Sequence, residues 1–173
     1  PKMKKFDFSD LFILDVANNH QGDLDHGLNI IKQLGSVVHE AGVRAAIKFQ
    51  YRQLDTFIHP DHTEGSDVKH ILRFVDTRLP PEDYVKLIDA VRRQKMITMC
   101  TPFDEESITL IQKHDIDVIK VASCSVTDIP LLKEVVMAGK PVIISTGMAE
   151  IPEIVHAVNV LKSNGCSDPT VLH

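Results

Sequence analysis

The 173-residue sequence lacks any apolar run approaching the length of a membrane span. It also lacks a signal-peptide pattern, because the basic start Pro1-Lys2-Met3-Lys4-Lys5 leads straight into a short strand-like run. Cysteine is scarce and odd in number: Cys100, Cys124 and Cys166 have no metal-type spacing. They read as reduced thiols of a cytoplasmic protein. Net positive charge is missing too. A formal charge of −5 argues against a general nucleic-acid binder, yet leaves room for an anionic small substrate held by a local lysine cluster. No low-complexity segment and no second domain stand out. The remaining composition, 43% hydrophobic and 25% charged, is that of an ordinary globular chain.

What is present is alternation. Strand-like runs at Leu11–Val16, Arg44–Phe49, Met96–Cys100, Val118–Ala122 and Pro141–Ser145, with a last one starting near Val171, alternate with helical stretches. The helices are expected at Asp25–Ala41, Glu82–Gln94, Asp104–His114, Asp128–Met137 and Ile151–Leu161. In Glu82–Gln94 the residues Val85, Leu87, Ile88 and Val91 recur at helical spacing. Asp104 and Asp128 stand where a side chain would cap free helix amides. Gly42, Gly139 and Gly165 follow helical runs, where a left-handed cap needs a residue without Cβ.

Strict alternation implies parallel strands, and nearly continuous apolar runs imply burial on both faces. An open dinucleotide-binding sheet would carry a glycine-rich turn after its first strand. That turn here is Asn18-Asn19-His20-Gln21-Gly22, with one glycine, so a closed (β/α)8 TIM-type barrel is the better reading. Such barrels need eight strands and about 250 residues. Residues 1–173 therefore read as the amino-terminal part of one, with five βα units and the start of a sixth. Residues 51–81, polar and rich in His and Asp, read as a loop insertion after the second strand, with a short helix around His70–Thr77. An incomplete barrel leaves unpaired edges, so association, expected as a homodimer, or a further segment should cover them.

Strand parity locates the chemistry. Residues two apart share a face, which groups Ile13 with Asp15, Ala46 with Lys48 and Gln50, Met99 with Thr101, and Ile143 with Ser145. Lys120 stands between Ile119 and Val121, which take the opposite face. A lysine inside an apolar strand is costly unless paired. One such lysine would be explained by a structural ion pair with a carboxylate such as Asp15. Two, Lys48 and Lys120, beside the hydroxyls of Thr101, Ser123 and Ser145, point to a shared anion at the barrel mouth.

These residues also fall in motifs. Asp15-Val16-Ala17-Asn18-Asn19-His20-Gln21-Gly22 resembles the first-strand signature Glu-Ile-Gly-x-Asn-His-x-Gly of the N-acetylneuraminate (sialic acid) synthase family. Ile47-Lys48-Phe49-Gln50 resembles its Val-Lys-x-Gln, and Cys100-Thr101-Pro102-Phe103-Asp104 its Ser-Thr-Pro-Phe-Asp. Ile119-Lys120-Val121-Ala122-Ser123, Ile144-Ser145-Thr146-Gly147-Met148 and Leu172-His173 continue the match in order. The resemblance implies condensation of phosphoenolpyruvate with an N-acetylmannosamine-like amino sugar, giving a nonulosonic acid and phosphate. It implies that Lys48, Gln50, Thr101, Lys120, Ser123 and Ser145 hold phosphoenolpyruvate, and that Asp15 contacts the sugar. It also implies a divalent metal, Mn2+ or Mg2+, to polarise the sugar aldehyde, with ligands on later strands outside this chain.

Two positions depart from the family pattern. Asp15 replaces a glutamate and reaches about 1.5 Å less far. Ser125 stands where an acidic residue is usual, at a position expected to touch the acceptor. A non-catalytic anion- or partner-binding barrel is the alternative that Ser125 supports, and a Schiff-base lyase using Lys120 is a third. His20 reads equally as a substrate contact and as a loop cap. His59-Pro60-Asp61-His62, with Glu64, reads as a solvated loop rather than a metal site. His114, Asp115 and Asp117 read as a polar helix-to-strand turn, Arg92 and Arg93 as dipole-complementing residues at a helix end, and Cys124 as a packed thiol.

Overall fold

A computed structural model describes residues 6–62 and 67–173 of the chain; Lys2, Lys4, Lys5 and Glu64 lie outside them. Six strands form one all-parallel sheet in sequential order: β1 (Leu11–Ala17), β2 (Arg44–Tyr51), β3 (Ile97–Pro102), β4 (Val118–Val121), β5 (Val142–Ser145) and β6 (Thr170–Leu172). The helices are α1 (Leu24–Ala41), α2 (Leu54–Phe57), α3 (Lys69–Asp76), α4 (Pro81–Arg93), α5 (Glu105–Lys113), α6 (Ile129–Met137) and α7 (Ile151–Ser163). Sequential parallel order with a helical crossover at each step is the winding of a (β/α) barrel, carried here through six strands.

The element ends follow local chemistry. The Asp23, Asp104 and Asp128 side chains accept from the amides of His26, Ser107 and Leu131, satisfying donors that the first turns of α1, α5 and α6 leave free. The first of these places the start of α1 one residue before the expected Asp25. Pro81, Pro130 and Pro152 occupy the first turns of α4, α6 and α7, where a missing N–H costs nothing. Gly42 ends α1 with φ of 63°, in the left-handed region. The segment between β2 and α4 carries α2, a 3-10 turn at Pro60–His62 and α3, which begins at Lys69.

Two apolar layers flank the sheet. On the helix side, Ile47, Phe49, Cys100, Ile119, Val121, Val142 and Ile144 pack against Ile31, Leu87, Ile88, Val91, Ile111, Leu132 and Leu161. Val85, grouped with the inner face by periodicity, is 41% exposed because the apolar stripe of α4 runs through Leu87, Ile88 and Val91. Close contact of α1 with α4 requires Gly27, since a Cβ there would lie 2.9 Å from Leu87 Cδ2. Burial of Leu87 alone is worth about 2 kcal/mol, and truncation to alanine would cost about 2–5 kcal/mol.

On the interior side a smaller cluster of Ala46, Met99, Val118 and Ile143 is joined by Phe6, Phe8, Leu11, Ile13 and Ile97. This cluster has the parity of Asp15, Lys48, Thr101, Lys120 and Ser145, and it precedes them along each strand. The interior therefore has an apolar floor with the polar residues above it at the carboxyl ends.

Candidate functional site

The centre of the site is a lysine pair served by one carboxylate. Asp15 and Lys48 are register partners across β1 and β2, and Lys48 Nζ lies 2.9 Å from Asp15 Oδ1. The Lys48 side chain is 6% exposed and that of Asp15 is 53% exposed. A register shift between Asp15 and Ala17, with Ala17 at φ of 45°, marks the end of β1 and begins the turn at Asn18. Lys120, half-buried on β4, has no ion pair or hydrogen bond among the described residues. Burial lowers its pKa, Lys48 lowers it further, and Asp15 and Cys124 oppose the shift. The structural ion pair that would explain one lysine thus exists for Lys48, and among the described residues it leaves Lys120 without an ion pair of its own.

Hydroxyls and an amide surround this pair. Gln50 is the register partner of Thr101. Thr101 is 1% exposed, and its hydroxyl has no hydrogen-bond partner among the described residues, an exception in a buried environment that calls for an explanation. Ser145 ends β5 opposite Leu172 of β6. Ser123 begins a 3-10 turn after β4 and approaches the loop after β5, where a Cβ added to Gly147 would lie 3.7 Å from Ser123 Oγ. Ser125 closes that turn, buried, with its hydroxyl 3.9 Å from the exposed Cys124 sulfur.

His20 lies in the turn after β1. Its ring is fully buried, Nδ1 accepts from the Gly22 amide at 3.1 Å, and Nε2 faces the Tyr84 hydroxyl at 3.4 Å. Since Nδ1 is an acceptor, the proton belongs on Nε2. Burial pushes the pKa of His20 down to about 4. These contacts describe a neutral histidine that caps the turn after β1. His114 also has an internal use: its Nδ1 meets the Tyr51 hydroxyl at 2.8 Å. Arg92 donates to the carbonyls of His114 and Asp115, and Asp117 binds the amide and hydroxyl of Thr98. His59 and His62 stay exposed.

Several residues at the mouth escaped sequence reasoning. Thr146 donates its hydroxyl to Leu172 O at 3.0 Å, fastening the loop after β5 to β6. Arg52 lies with its guanidinium over the rings of Phe103 and Phe74. It lines a pocket of about 90 Å3 together with Asn18, Gln50, Thr77, Arg78 and Tyr84. Its signal was its place two residues after Gln50, obscured because the segment looked like solvated loop.

Among the described residues no group of three or more His, Cys, Asp or Glu side chains could hold a metal ion. Asp15, the acid at the mouth, is already engaged by Lys48. The residues present do not by themselves make a divalent-metal site.

A wall of six sequential parallel strands joined by helical crossovers, with polar residues at the carboxyl ends, defines the class of (β/α)-barrel proteins. Within that class, the chain belongs to the NeuB family, which it matches over residues 36–173. It is 30% identical to N,N'-diacetyllegionaminic acid synthase of Campylobacter jejuni over 94% of this chain and 50% of that protein. It superimposes with a TM-score of 0.91 and 41% identity on the crystal structure of a putative spore coat polysaccharide biosynthesis protein E from Chromobacterium violaceum, covering 95% of this chain and 49% of that one. A sialic acid synthetase from Leptospira borgpetersenii, crystallised with citrate, shares the fold at a TM-score of 0.79 and 24% identity, covering 95% of this chain and 53% of that one. The chain spans about half the length of the curated relatives it matches.

Proposed function

We propose that this chain forms the phosphoenolpyruvate-binding part of a sugar-acid synthase. The enzyme would condense phosphoenolpyruvate with an N-acetylmannosamine-like aldehyde to give a nonulosonic acid and phosphate. The observation that carries this reading is the lysine pair with a single carboxylate, beside a buried threonine hydroxyl that has no partner among the described residues. Phosphoenolpyruvate has a phosphate and a carboxylate within a few bonds of each other. Lys120 and Lys48 supply cations for them, and Thr101, Ser123, Ser145 and Gln50 supply directed donors. Binding would lower the cost of keeping Lys120 charged beside Lys48.

In the condensation, carbon 3 of phosphoenolpyruvate bonds to the aldehyde carbon, one water is consumed and phosphate leaves. The role of Lys48 and Lys120 is to hold the departing phosphate's negative charge. Asp15 keeps one carboxylate oxygen on Lys48 and, being half exposed, turns the other toward the sugar. A divalent ion held by residues other than these would supply Lewis-acid polarisation of the aldehyde.

Calorimetry of the whole protein with phosphoenolpyruvate tests the reading, followed by phosphate release when N-acetylmannosamine is added. Binding that weakens at least tenfold in Lys120→Ala supports it. Wild-type protein that takes up no phosphoenolpyruvate would remove it.

A further inference from the structure

Arg52 follows Gln50 by two residues, just past the end of β2 at Tyr51. Its guanidinium carbon lies 3.7 Å from the centroid of the Phe103 ring and 4.3 Å from that of Phe74. Contacts this close with two rings fix the orientation of the guanidinium and leave hydrogen bonding to its edge. That edge is empty of protein acceptors: Nε is buried without a partner, and no Arg52 nitrogen has a hydrogen bond or ion pair among the described residues.

The neighbouring acids are taken. Asp104 accepts from the Ser107 amide with one oxygen at 2.7 Å and from the Gln53 amide with the other at 2.8 Å. Asp55 binds Arg78 through both oxygens, at 3.1 and 3.0 Å. A staple between α3 and the loop after β3 would account for the two ring contacts. It does not account for a buried N–H with nothing to donate to, because a buried polar group without a partner is costly.

Arg52 also stands at the carboxyl end of β2. It shares the 90 Å3 pocket with Gln50 and with Asn18, the first residue after β1. Arg52 follows the last residue of β2 and so stands beyond Gln50 along the chain. The phosphoenolpyruvate groups are served by Lys48, Lys120, Thr101 and Gln50, which leaves Arg52 to meet what lies further out.

We infer that Arg52 determines acceptor specificity: its fixed edge takes an oxyanion, a phosphate or a carboxylate, carried by the acceptor sugar. A planar fork held between rings is suited to bidentate oxyanion binding, and a lysine cannot reproduce that geometry. This inference rests on the synthase reading for the identity of the second substrate.

The test is steady-state kinetics of the whole protein with phosphoenolpyruvate and three acceptors: N-acetylmannosamine, its 6-phosphate and the corresponding 6-carboxylate. A KM at least tenfold lower for one of the charged sugars is expected, and which of the two it is identifies the oxyanion. Arg52→Lys and Arg52→Gln should erase that preference while the KM for phosphoenolpyruvate stays within about twofold. A preference for the neutral sugar in wild type overturns the inference while leaving the synthase reading intact. So does an Arg52 effect confined to phosphoenolpyruvate. If no acceptor supports turnover, the synthase reading fails, and calorimetry with the two charged sugars decides Arg52 alone. Binding lost in both variants supports the oxyanion site; binding that is absent, or unchanged by them, overturns it.

Discussion

Lys48 and Asp15 pair twice, once through the backbone register of β1 and β2 and again through their side chains at 2.9 Å. The partners are unequal, since the lysine is buried and the aspartate half in solvent. Removing the acid therefore strands a buried charge, whereas removing the lysine only returns a carboxylate to water.

Asp15→Asn is expected to lower stability by about 1–3 kcal/mol. This is less than the usual penalty for breaking a fully buried pair, because solvent already screens Asp15. Lys48→Met should cost less than Asp15→Asn. Denaturant unfolding of both variants checks the order; a larger loss in Lys48→Met would mean that its amine is hydrated in the folded state.

Lys120→Met should separate stability from binding. The pKa of Lys120 is depressed by burial and by Lys48, so the folded protein bears a cost for its charge at neutral pH. That cost is present below the folded pKa and disappears as pH rises past the unfolded value of about 10.4. Replacing the amine with a thioether is expected to raise the melting temperature by a few degrees while phosphoenolpyruvate affinity falls at least tenfold. A variant that melts earlier and binds normally would contradict both halves.

Acid should loosen the turn after β1. The pKa of His20 falls from an ordinary 6.5 to about 4 on folding, so its contribution is present above pH 6.5 and lost as pH drops toward 4. The shift corresponds to about 3 kcal/mol. His20→Gln, which can still accept from the Gly22 amide, should flatten the stability profile between pH 6.5 and 4. Unfolding curves at several pH values, compared with wild type, measure this.

Thr101→Val removes a buried hydroxyl that has no partner among the described residues. The substitution should leave stability unchanged or raise it by up to about 1 kcal/mol, since no hydrogen bond is lost. Phosphoenolpyruvate affinity should fall five- to twentyfold. Unchanged affinity in calorimetry would take Thr101 out of the site.

Much of the fold was legible because parallel strands buried on both faces leave a simple trace. Alternation placed Ile47 and Phe49 against the helices and Lys48 and Gln50 on the other face, as the two apolar layers show. His20 could not be resolved the same way. Its sequence position suited both a substrate contact and a cap, and periodicity does not reveal the Gly22 and Tyr84 contacts that make it a cap. Arg52 was missed because its rings arrive from Phe74 and Phe103, 22 and 51 positions away in the chain. Periodicity carries no information about such a meeting. The start of α1 at Leu24 depended on Asp23, whose capping role the apolar pattern does not reveal.

The strand β2 also acts as a ruler. Ala46 marks the floor, Lys48 and Gln50 the steps above it, and Arg52 the next graduation beyond Tyr51. Because the graduations fall every second residue, the scale is intolerant of a frame change. One residue inserted between Ala46 and Lys48 would turn Ile47 or Phe49 into the mouth and drive the lysine into the helix layer. Substitutions can tune the individual marks on this strand, but a change in its length would erase the scale.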